Sequence, residues 1–385
     1  MKTCSTPERK TNRLFYLGFS FLMIIAVFVL SGCAVFGHRR VPRDRFNYNE
    51  ALAESSREQM LMNIIRLRYL EEPVFLAVSS ILTQYVYNAG VEAGGIIDLG
   101  GNLDTGSTAS MGANLNYEER PTITYLPVEG REFSAHLLSA IPAELIFAAA
   151  QEGWDVDILM EIGVQRIGAV ENMSFGAIPP PGDIELKTQF QRDLDKLKRF
   201  QHVMRLLISL SEVEAFEVRI VEINGIKERH LEFSEKIPEE FQPMLKELRQ
   251  LLGLSNGNTF RFTDHLTGIK EDEISIQTRS VLAMMSFLSR GVEVPLEHLD
   301  EGRVIDYRLS KSEEGSKTSL IPFKVLWSKQ RPHSPFAAVQ YQNYWFYIAN
   351  NDINSKRTLG LIIALFRLQA PSTGGVAPIL TLPTG

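Results

Sequence analysis

Apolar and polar positions recur along the chain with two periods, one typical of helices and one typical of strands. Helical spacing extends over residues 49–70, 129–141, 142–151, 184–210, 238–252, 277–289 and 355–368. Runs rich in β-branched and aromatic residues, which favour strands, cover residues 74–87, 121–127, 158–170, 216–233, 321–327, 336–348 and 377–382. Hairpins outnumber segments suited to parallel crossovers. The pattern therefore predicts an α+β fold in which antiparallel, hairpin-rich sheets pack against amphipathic helices.

Small residues mark where these elements are expected to turn or end. The strongest hairpin signal is Asn224-Gly225 between two strand patterns, because Asn-Gly suits a type I′ turn. A second hairpin is predicted to turn near Gln342-Asn343. Helices are predicted to end before Gly153, Gly253 and Gly291, since glycine is common just past a helix C terminus.

A glycine-rich stretch over residues 89–119 has the clearest two-residue alternation in the chain. Val91, Ala93 and Ile97 fall on one side of the pattern, while Glu92 and Asp98 fall on the other. The alternation pauses near Thr105-Gly106 and then resumes. We therefore predict a hairpin with one mostly apolar face and one polar face.

Three interpretations of this hairpin remain open. It could lie on the protein's own domain, since alternation occurs in any half-buried sheet. It could instead span a membrane as one subunit's contribution to an oligomeric channel, because arms of about 9 to 11 residues suffice to cross. Aromatic residues that would mark a membrane interface occur only near Tyr85, Tyr87 and Tyr117. The third interpretation is a mobile flap, since glycine weakens strands.

The N-terminal residues have the three-part layout of a secretory signal. Lys2, Arg9, Lys10 and Arg13 precede an uncharged apolar run over residues 14–30, which predicts a signal helix. The run ends in Leu30-Ser31-Gly32-Cys33, which resembles the lipobox of bacterial lipoproteins. An uncleaved signal anchor is the alternative, because the run is at the short limit of a membrane-spanning helix.

The resemblance implies a specific modification. The thiol of Cys33 would receive a diacylglyceryl group, the chain would be cut between Gly32 and Cys33, and the new amine would be acylated, with palmitate among the acyl groups. Two or three acyl chains make a durable membrane attachment, whereas one is marginal. Ala34 stands where lipoproteins kept at the inner membrane of Gram-negative bacteria usually carry aspartate. The implied location is the bacterial outer membrane, lipid-anchored and facing the periplasm.

Four regions are expected along the chain: a signal peptide (1–32), a polar tether (33–48), and two α+β halves (49–182 and 183–385). The tether is predicted because residues 34–48 are basic and contain Pro42. The boundary between the halves is predicted at Pro179-Pro180-Pro181-Gly182, which the long helix 184–210 follows.

Composition excludes several classes of function. Without residues 1–32 the chain carries 36 basic and 45 acidic residues, a net charge of −9, so no nucleic-acid partner is expected. Cys4 would leave with the signal and Cys33 would carry lipid, which rules out a disulfide. The histidines show no metal-binding spacing and no phosphate-binding fingerprint is present, so neither a metal nor a cofactor is expected.

Two motifs weakly suggest chemistry. Residues 253–257 match G-x-S-x-G, but a nucleophilic serine needs a strand before it and a helix after it, and the pattern around Ser255 predicts the reverse. Glu297, His298, Asp300 and Glu301 combine acidic groups with an imidazole, although a solvated loop explains them more simply. We therefore expect no enzymatic activity.

One aromatic hairpin is a candidate binding surface. Its members are Tyr341, Tyr344, Trp345 and Tyr347, with Arg357 nearby in sequence. Alternation places Tyr344 on one face and Trp345 and Tyr347 on the other. The simpler interpretation is a sheet covered on both faces, one of them by helix 355–368. The alternative is a groove for a peptide or a glycan.

These observations predict a non-enzymatic, lipid-anchored envelope protein with a periplasm-facing scaffolding, assembly or binding role. Its partners would be the membrane, through the lipid, and either an envelope protein or further copies of itself. The first alternative is a component of an oligomeric outer-membrane channel that uses hairpin 89–119. The second is an envelope hydrolase. The chain beyond the lipobox resembles no characterised family.

Overall fold

The computed structural model describes residues 36–96, 108–173, 183–223, 225–267, 269–306 and 321–369. The predicted signal helix, the turn at Thr105-Gly106, the proline-rich boundary at 179–182 and the strand 377–382 lie outside the described residues. Contacts divide the chain into two units, residues 1–60 and residues 61–385, and each is described by itself.

Helices and strands are both abundant in the described chain, and the predicted α+β class is confirmed. The helices are α1 (Phe36–Arg68), α2 (Arg131–Leu138), α3 (Ala143–Gln151), α4 (Val156–Gly163), α5 (Asp183–Glu212), α6 (Gln242–Leu252), α7 (Val281–Ser289), α8 (Leu296–Asp300) and α9 (Ile353–Gln369). The strands are β1 (Leu76–Ile96), β2 (Thr108–Pro127), β3 (Val164–Ile167), β4 (Val170–Glu171), β5 (Phe216–Ile223), β6 (Ile226–Phe233), β7 (Thr259–Thr263), β8 (Glu273–Thr278), β9 (Leu326–Ser328), β10 (Ala337–Tyr341) and β11 (Tyr344–Ile348).

Helix α1 begins earlier than the apolar pattern predicted. It starts at Phe36 rather than near Asn49 and contains Pro42, so much of the predicted tether is helical. A proline inside a helix costs about 3 kcal/mol, but arginine is a good helix former and four arginines lie between residues 39 and 45. The described part of the first unit, residues 36–60, lies within this helix.

The largest sheet has six strands in the order β4-β3-β8-β7-β6-β5. All its neighbours are antiparallel except β7 and β8, which are parallel. The hairpin predicted at Asn224-Gly225 is confirmed as β5–β6, and Gly225 has a φ of 78°. The sheet takes strands from both sides of the predicted boundary at residue 182, and the division into two halves stays a prediction.

A second sheet has three antiparallel strands in the order β10-β11-β9. Its hairpin turns at Gln342 and Asn343, whose φ values are 45° and 68°. Two consecutive positive φ values are what a two-residue type I′ turn requires. The turn predicted at this position is therefore confirmed.

Helix α7 is the most deeply buried helix of the second unit and packs against α2, α4 and α9. The sequence predicted this helix from Gln277, but Gln277 and Thr278 belong to β8, because pairing with β3 outweighs their local preference. The helix ends at Ser289 rather than through a left-handed Gly291. That glycine is needed for space, since an added Cβ would lie 2.0 Å from the carbonyl oxygen of Phe323.

The strand prediction over residues 158–170 is partly wrong. Residues 156–163 form α4, and strands begin only at Val164. Asp155 caps the helix, its carboxylate accepting a hydrogen bond from the Ile158 backbone N–H at 3.4 Å. A short apolar run cannot be assigned to helix or strand by period alone, and the aspartate before it is the signal for a helix start.

Candidate interaction surface

The longest strands of the protein, β1 and β2, form a two-stranded antiparallel ribbon, called the ribbon below. Pairing runs from Leu76 opposite Pro127 to Ile96 opposite Thr108, a length of about 65 Å. Within the described residues no third strand pairs with either edge. The predicted hairpin is confirmed, and the strands predicted separately over 74–87 and 121–127 are its base.

The register sorts residues onto two chemically different faces, because directly paired residues lie on the same face. The first face is mostly apolar and contains the pairs Leu76 with Pro127, Val78 with Tyr125, Ile81 with Ile123, Tyr87 with Tyr117, Ala89 with Leu115, Val91 with Ala113 and Ala93 with Met111. The second face is mostly polar and contains Ser80 with Thr124, Gln84 with Arg120, Asn88 with Asn116 and Glu92 with Gly112.

An irregularity at Ser79 keeps the apolar face continuous. The register shifts by one residue between Val78 and Ser80, so even-numbered Leu76 and Val78 share a face with odd-numbered Ile81. The Ser79 hydroxyl donates a hydrogen bond to the Thr124 carbonyl at 3.3 Å. A bulge of this kind inserts one residue and re-aims the strand. Without it, the base of β1 would point its apolar residues to the polar side.

Apolar side chains at the base of the ribbon are exposed. The exposed fractions are 55% for Tyr125 and 42% for Ile123 on the apolar face, and Leu82 on the opposite face is 49% exposed. An isolated two-stranded hairpin is at best marginally stable in water, and a contiguous exposed apolar patch marks a contact surface. The sequence analysis missed these residues because it treated 121–127 as a separate strand, although the alternation continues through them.

An aromatic cluster joins the ribbon to the rest of the second unit. Phe75, just before β1, stacks on Phe366 of α9 with ring centroids 4.5 Å apart and meets the edge of Phe133 at 5.7 Å. The Val128 N–H donates to the Phe75 carbonyl at 2.9 Å where the two strands leave the body. Phe75 and Phe133 are buried. The ribbon is therefore attached firmly at one end.

Two members of the predicted aromatic surface lie in a partly buried polar network. Tyr344, only 7% exposed, donates its hydroxyl hydrogen to Glu297, and Tyr341 donates to Glu71 at 2.5 Å. Between them the Tyr69 hydroxyl lies 2.6 Å from Nδ1 of His298. The network thus unites the aromatic hairpin with the cluster around His298, which the sequence analysis had treated separately.

The electrostatics of this network favour a structural role. Burial raises the pKa of Tyr69 to about 12, and burial also lowers the pKa of His298 below its usual value. The hydrogen bond from Tyr344 lowers the pKa of Glu297, and the same bond raises the pKa of Tyr344. At neutral pH the tyrosines are protonated donors and the carboxylate is an acceptor. The network holds β10 and β11 against α8.

The remaining predicted surface residues lie elsewhere. Trp345 and Tyr347 are on the opposite face of β11 and are partly exposed, with the Arg331 guanidinium 5.2 Å from the Trp345 ring centroid. Arg357, on α9, forms an ion pair with Asp155 at 3.3 Å. The structure therefore brings Tyr341 and Tyr344 together and distributes the other three residues over two further places.

Ser255 lies in the turn that its surroundings predicted. Helix α6 precedes it and strand β7 follows it, the reverse of a nucleophile elbow. Its hydroxyl donates to the Glu271 carbonyl at 3.0 Å and accepts from the Gly257 N–H at 3.3 Å. Both bonds stabilise the turn. Among the described residues no group of three or more His, Cys, Asp or Glu is arranged to hold a metal ion.

The anchor residues Gly32, Cys33 and Ala34 lie outside the described residues. Within the part of the chain that is described, no helix has both the length and the apolar character needed to cross a membrane. Comparisons with protein-family models, with curated proteins and with solved structures found no match.

Proposed function

We propose that this protein is a lipid-anchored, non-enzymatic envelope protein of the bacterial outer membrane, and that the ribbon is its contact element in an assembly. The observation that carries the proposal is the exposed apolar face of the ribbon, represented by Ile123 and Tyr125. The lipobox resemblance at Leu30-Ser31-Gly32-Cys33 supports the anchor. A firmly based, uncovered ribbon suits a role in joining subunits.

The geometry of the ribbon favours a second copy of the chain as its partner. Each ribbon has two edges, one on β1 and one on β2, with backbone N–H and C=O groups available for pairing. Because the strands are antiparallel, β1 of one copy can pair with β2 of the next and keep apolar and polar faces on the same sides. Repeated head-to-tail pairing of this kind closes a ring when the rotation permits.

A photo-crosslinking amino acid at position 125 tests this contact in intact cells. We expect crosslinked products whose masses are multiples of the chain mass, because Tyr125 lies on the exposed apolar face. The matched control is position 266, since Leu266 is similarly exposed at 51% but lies outside the ribbon. Equal crosslinking at both positions, or no product at position 125, would contradict the proposed assembly role of the ribbon.

The anchor is tested separately. Cys33→Ala should abolish labelling by radioactive palmitate and leave an uncleaved precursor, because the acyl groups and the cut both require the cysteine. Ala34→Asp should move the mature protein toward the inner membrane of a Gram-negative host. Palmitate on the Cys33→Ala protein would overturn the anchor, and unchanged fractionation of Ala34→Asp would remove the basis for the outer membrane.

A second candidate function is an oligomeric outer-membrane channel, and a specific feature of the register favours it. Tyr87 pairs with Tyr117 on the apolar face, at one end of a series of small and apolar pairs that continues to Ala93 with Met111. Tyrosines at one level beside an apolar band are typical of a membrane interface. Protease protection of residues 83–121 that appears only in lipid vesicles would support the channel, whereas protection in detergent alone would contradict it.

A further inference from the structure

A cavity of about 440 Å³ lies between the helices α3, α4 and α5 and one face of the six-stranded sheet. Its lining is almost entirely apolar. Typical wall residues are Phe147 from α3, Met160 from α4, Leu207 and Ile208 from α5, and Phe262 and Ile276 from the sheet. The rings of Phe147 and Phe262 lie 5.1 Å apart at their centroids.

The volume is too large for a packing imperfection. Protein interiors are packed as densely as organic crystals, with few voids larger than a water molecule. Small-molecule sites, in contrast, are clefts of about 300–1,000 Å³ with mainly apolar walls and a few polar groups. The cavity between helices and sheet belongs to the second kind: its two carboxylates, Asp155 and Asp157, lie at the start of α4, and Ser211 of α5 adds a hydroxyl group.

One of these carboxylates also lines a charged pocket. Asp155 lines the apolar cavity together with Asp157, and it also lines a second pocket of about 360 Å³ that contains Glu152, Trp154 and Arg357. The Arg357 guanidinium lies 3.3 Å from the Asp155 carboxylate, and its side chain is more than half exposed. An apolar volume and a pocket with both signs of charge therefore share one carboxylate.

We propose that this pair of cavities binds a single-chain zwitterionic phospholipid. The acyl chain occupies the apolar cavity, and the head group reaches the pocket past Asp155. There the phosphate pairs with Arg357, and the ammonium pairs with Glu152 and Asp155. Arginine suits phosphate because its planar fork of N–H donors matches two phosphate oxygens. This site does not depend on the ribbon or on the anchor of the proposed function.

Charge complementarity distinguishes this ligand from simpler amphiphiles. A fatty acid offers an anionic head that would meet Asp155, Asp157 and Glu152, and an alkylamine offers nothing to Arg357. A zwitterion satisfies both signs. The order of affinity should therefore be lysophosphatidylethanolamine first, with the fatty acid and the alkylamine of the same chain length each about tenfold or more weaker.

Photolabelling of the full chain locates the bound acyl chain. The probe is lysophosphatidylethanolamine with a diazirine near the end of its acyl chain, added to protein purified in mild detergent. We expect saturable adducts on α3 and α5, in peptides that contain Phe147 or Leu207, and competition by unlabelled lysophosphatidylethanolamine. Adducts confined to other segments, or labelling that competitor leaves unchanged, would overturn the proposal.

Matched variants test the two parts of the site. Ala150→Trp fills the cavity from α3 and should raise the half-saturating lipid concentration about tenfold or more, whereas Ala148→Trp on the exposed side of the same helix should not. Leu207→Trp replaces Ala150→Trp if that variant lowers the melting temperature. The proposed location of the acyl chain is wrong if the two α3 variants have equal effects. It is also wrong if the protein with the filled cavity binds lipid as tightly as the unmodified protein does.

The head-group pocket is tested on α9. Arg357→Gln should weaken lysophosphatidylethanolamine about tenfold but should not weaken the alkylamine, because only the phosphate uses the guanidinium and the variant leaves Asp155 free to pair with an ammonium. Arg367→Gln, on the exposed part of the same helix, is the control. If Arg357→Gln weakens both ligands equally, or weakens neither, the assignment of the phosphate to Arg357 fails.

Discussion

The ribbon and the mostly antiparallel six-stranded sheet are built from strands with similar alternation, but their faces meet different surroundings. In the sheet, Leu231, Phe260 and Ile276 are almost completely buried, because α3, α4 and α5 pack against it. In the ribbon, Ile123 and Tyr125 remain about half exposed. Alternation alone is the same in both regions, so it indicates which face is apolar without indicating what covers it.

This difference indicates that the helices packed around the six-stranded sheet contribute most of the stability of the second unit. Arg279 illustrates this, since it is only 2% exposed and connects three segments. Its guanidinium donates to the carbonyl oxygens of Glu161 at 2.8 Å, Ile162 at 3.0 Å and Met173 at 2.6 Å, and it lies 4.5 Å from the ring of Phe287. These three hydrogen bonds are called the Arg279 clamp below.

The largest predicted effect is on this clamp. Arg279→Ala should lower the free energy of unfolding by about 3–5 kcal/mol, because it leaves buried carbonyl oxygens without donors and removes the side chain that fills the space. Burial lowers the pKa of Arg279 to about 9, so the group is charged at neutral pH. Urea unfolding followed by circular dichroism measures the loss.

An exposed arginine on the same sheet is the control for the clamp. Arg219 of β5 is more than half exposed and forms ion pairs with Glu217 and Glu232. Arg219→Ala should cost no more than about 1 kcal/mol, because exposed ion pairs contribute little. Equal losses for Arg279→Ala and Arg219→Ala would show that burial of the arginine is not what stabilises the second unit.

The next-largest predicted effect is a pH-dependent change in the free energy of unfolding, and it arises at the contact of α4 with α5. Burial raises the pKa of Glu161 to about 7, opposed by a hydrogen bond from Gln201 and by the charge of Arg279. Because the folded protein holds this proton more tightly than the unfolded chain does, the stabilisation is fully present below about pH 4.5 and is lost as the pH rises through 7.

Glu161→Gln should therefore remove this part of the pH dependence. Between pH 5 and pH 8 the unmodified protein should lose up to about 3 kcal/mol of stability relative to Glu161→Gln. The amide can still accept the hydrogen bond that Gln201 donates at 3.1 Å. Urea midpoints at the two pH values measure the difference, with the exposed Glu240→Gln as control. Parallel pH profiles of Glu161→Gln and the unmodified protein would contradict the prediction.

The sequence predicted elements with strong local signals and failed where tertiary contacts decide. The turns at Asn224-Gly225 and Gln342-Asn343 were found because a type I′ turn has its own residue preference. Helix α4 was taken for a strand, and Gln277 was placed in a helix, because short apolar runs fit both periods. Pairing with β3 decided the state of Gln277.

The candidate surface was predicted less well than the fold. Tyr344 and His298 were found as separate features, yet the buried Tyr69, whose hydroxyl lies 2.6 Å from Nδ1 of His298, is more than 200 residues away from it in sequence. No local pattern can indicate a contact over that separation. The exposed base of the ribbon was missed for another reason, since the bulge at Ser79 changes the face of Leu76 and Val78 without any special residue.

A smaller effect on stability is expected for alanine substitutions at two glycines of the second unit, and the two should change stability in opposite directions. In Gly291→Ala the new Cβ would lie 2.0 Å from the backbone oxygen of Phe323, so the backbone must move and the bond from Val325 N–H to the Gly291 carbonyl is disturbed. A loss of about 1–3 kcal/mol is expected. In Gly360→Ala the new Cβ would meet nothing within 4 Å at an exposed position of α9, and the variant should gain about 0.5–1 kcal/mol of stability. Equal thermal midpoints for both variants would contradict this assignment.

The smallest effect on stability belongs to the ribbon, where the comparison with the sheet is sharpest. Tyr125→Ser and Ile123→Ser should each change the free energy of unfolding by no more than about 0.5 kcal/mol at low protein concentration, because the replaced side chains are about half exposed. At high concentration the unmodified protein should gain stability that the variants lack, since association stabilises the folded state by mass action. Truncating the buried Leu231 of β6 should cost about 2–5 kcal/mol. A similar loss of about 2 kcal/mol or more for the ribbon variants at every concentration would mean that the protein's own body covers this face. The ribbon would then be an ordinary part of the core rather than a contact element.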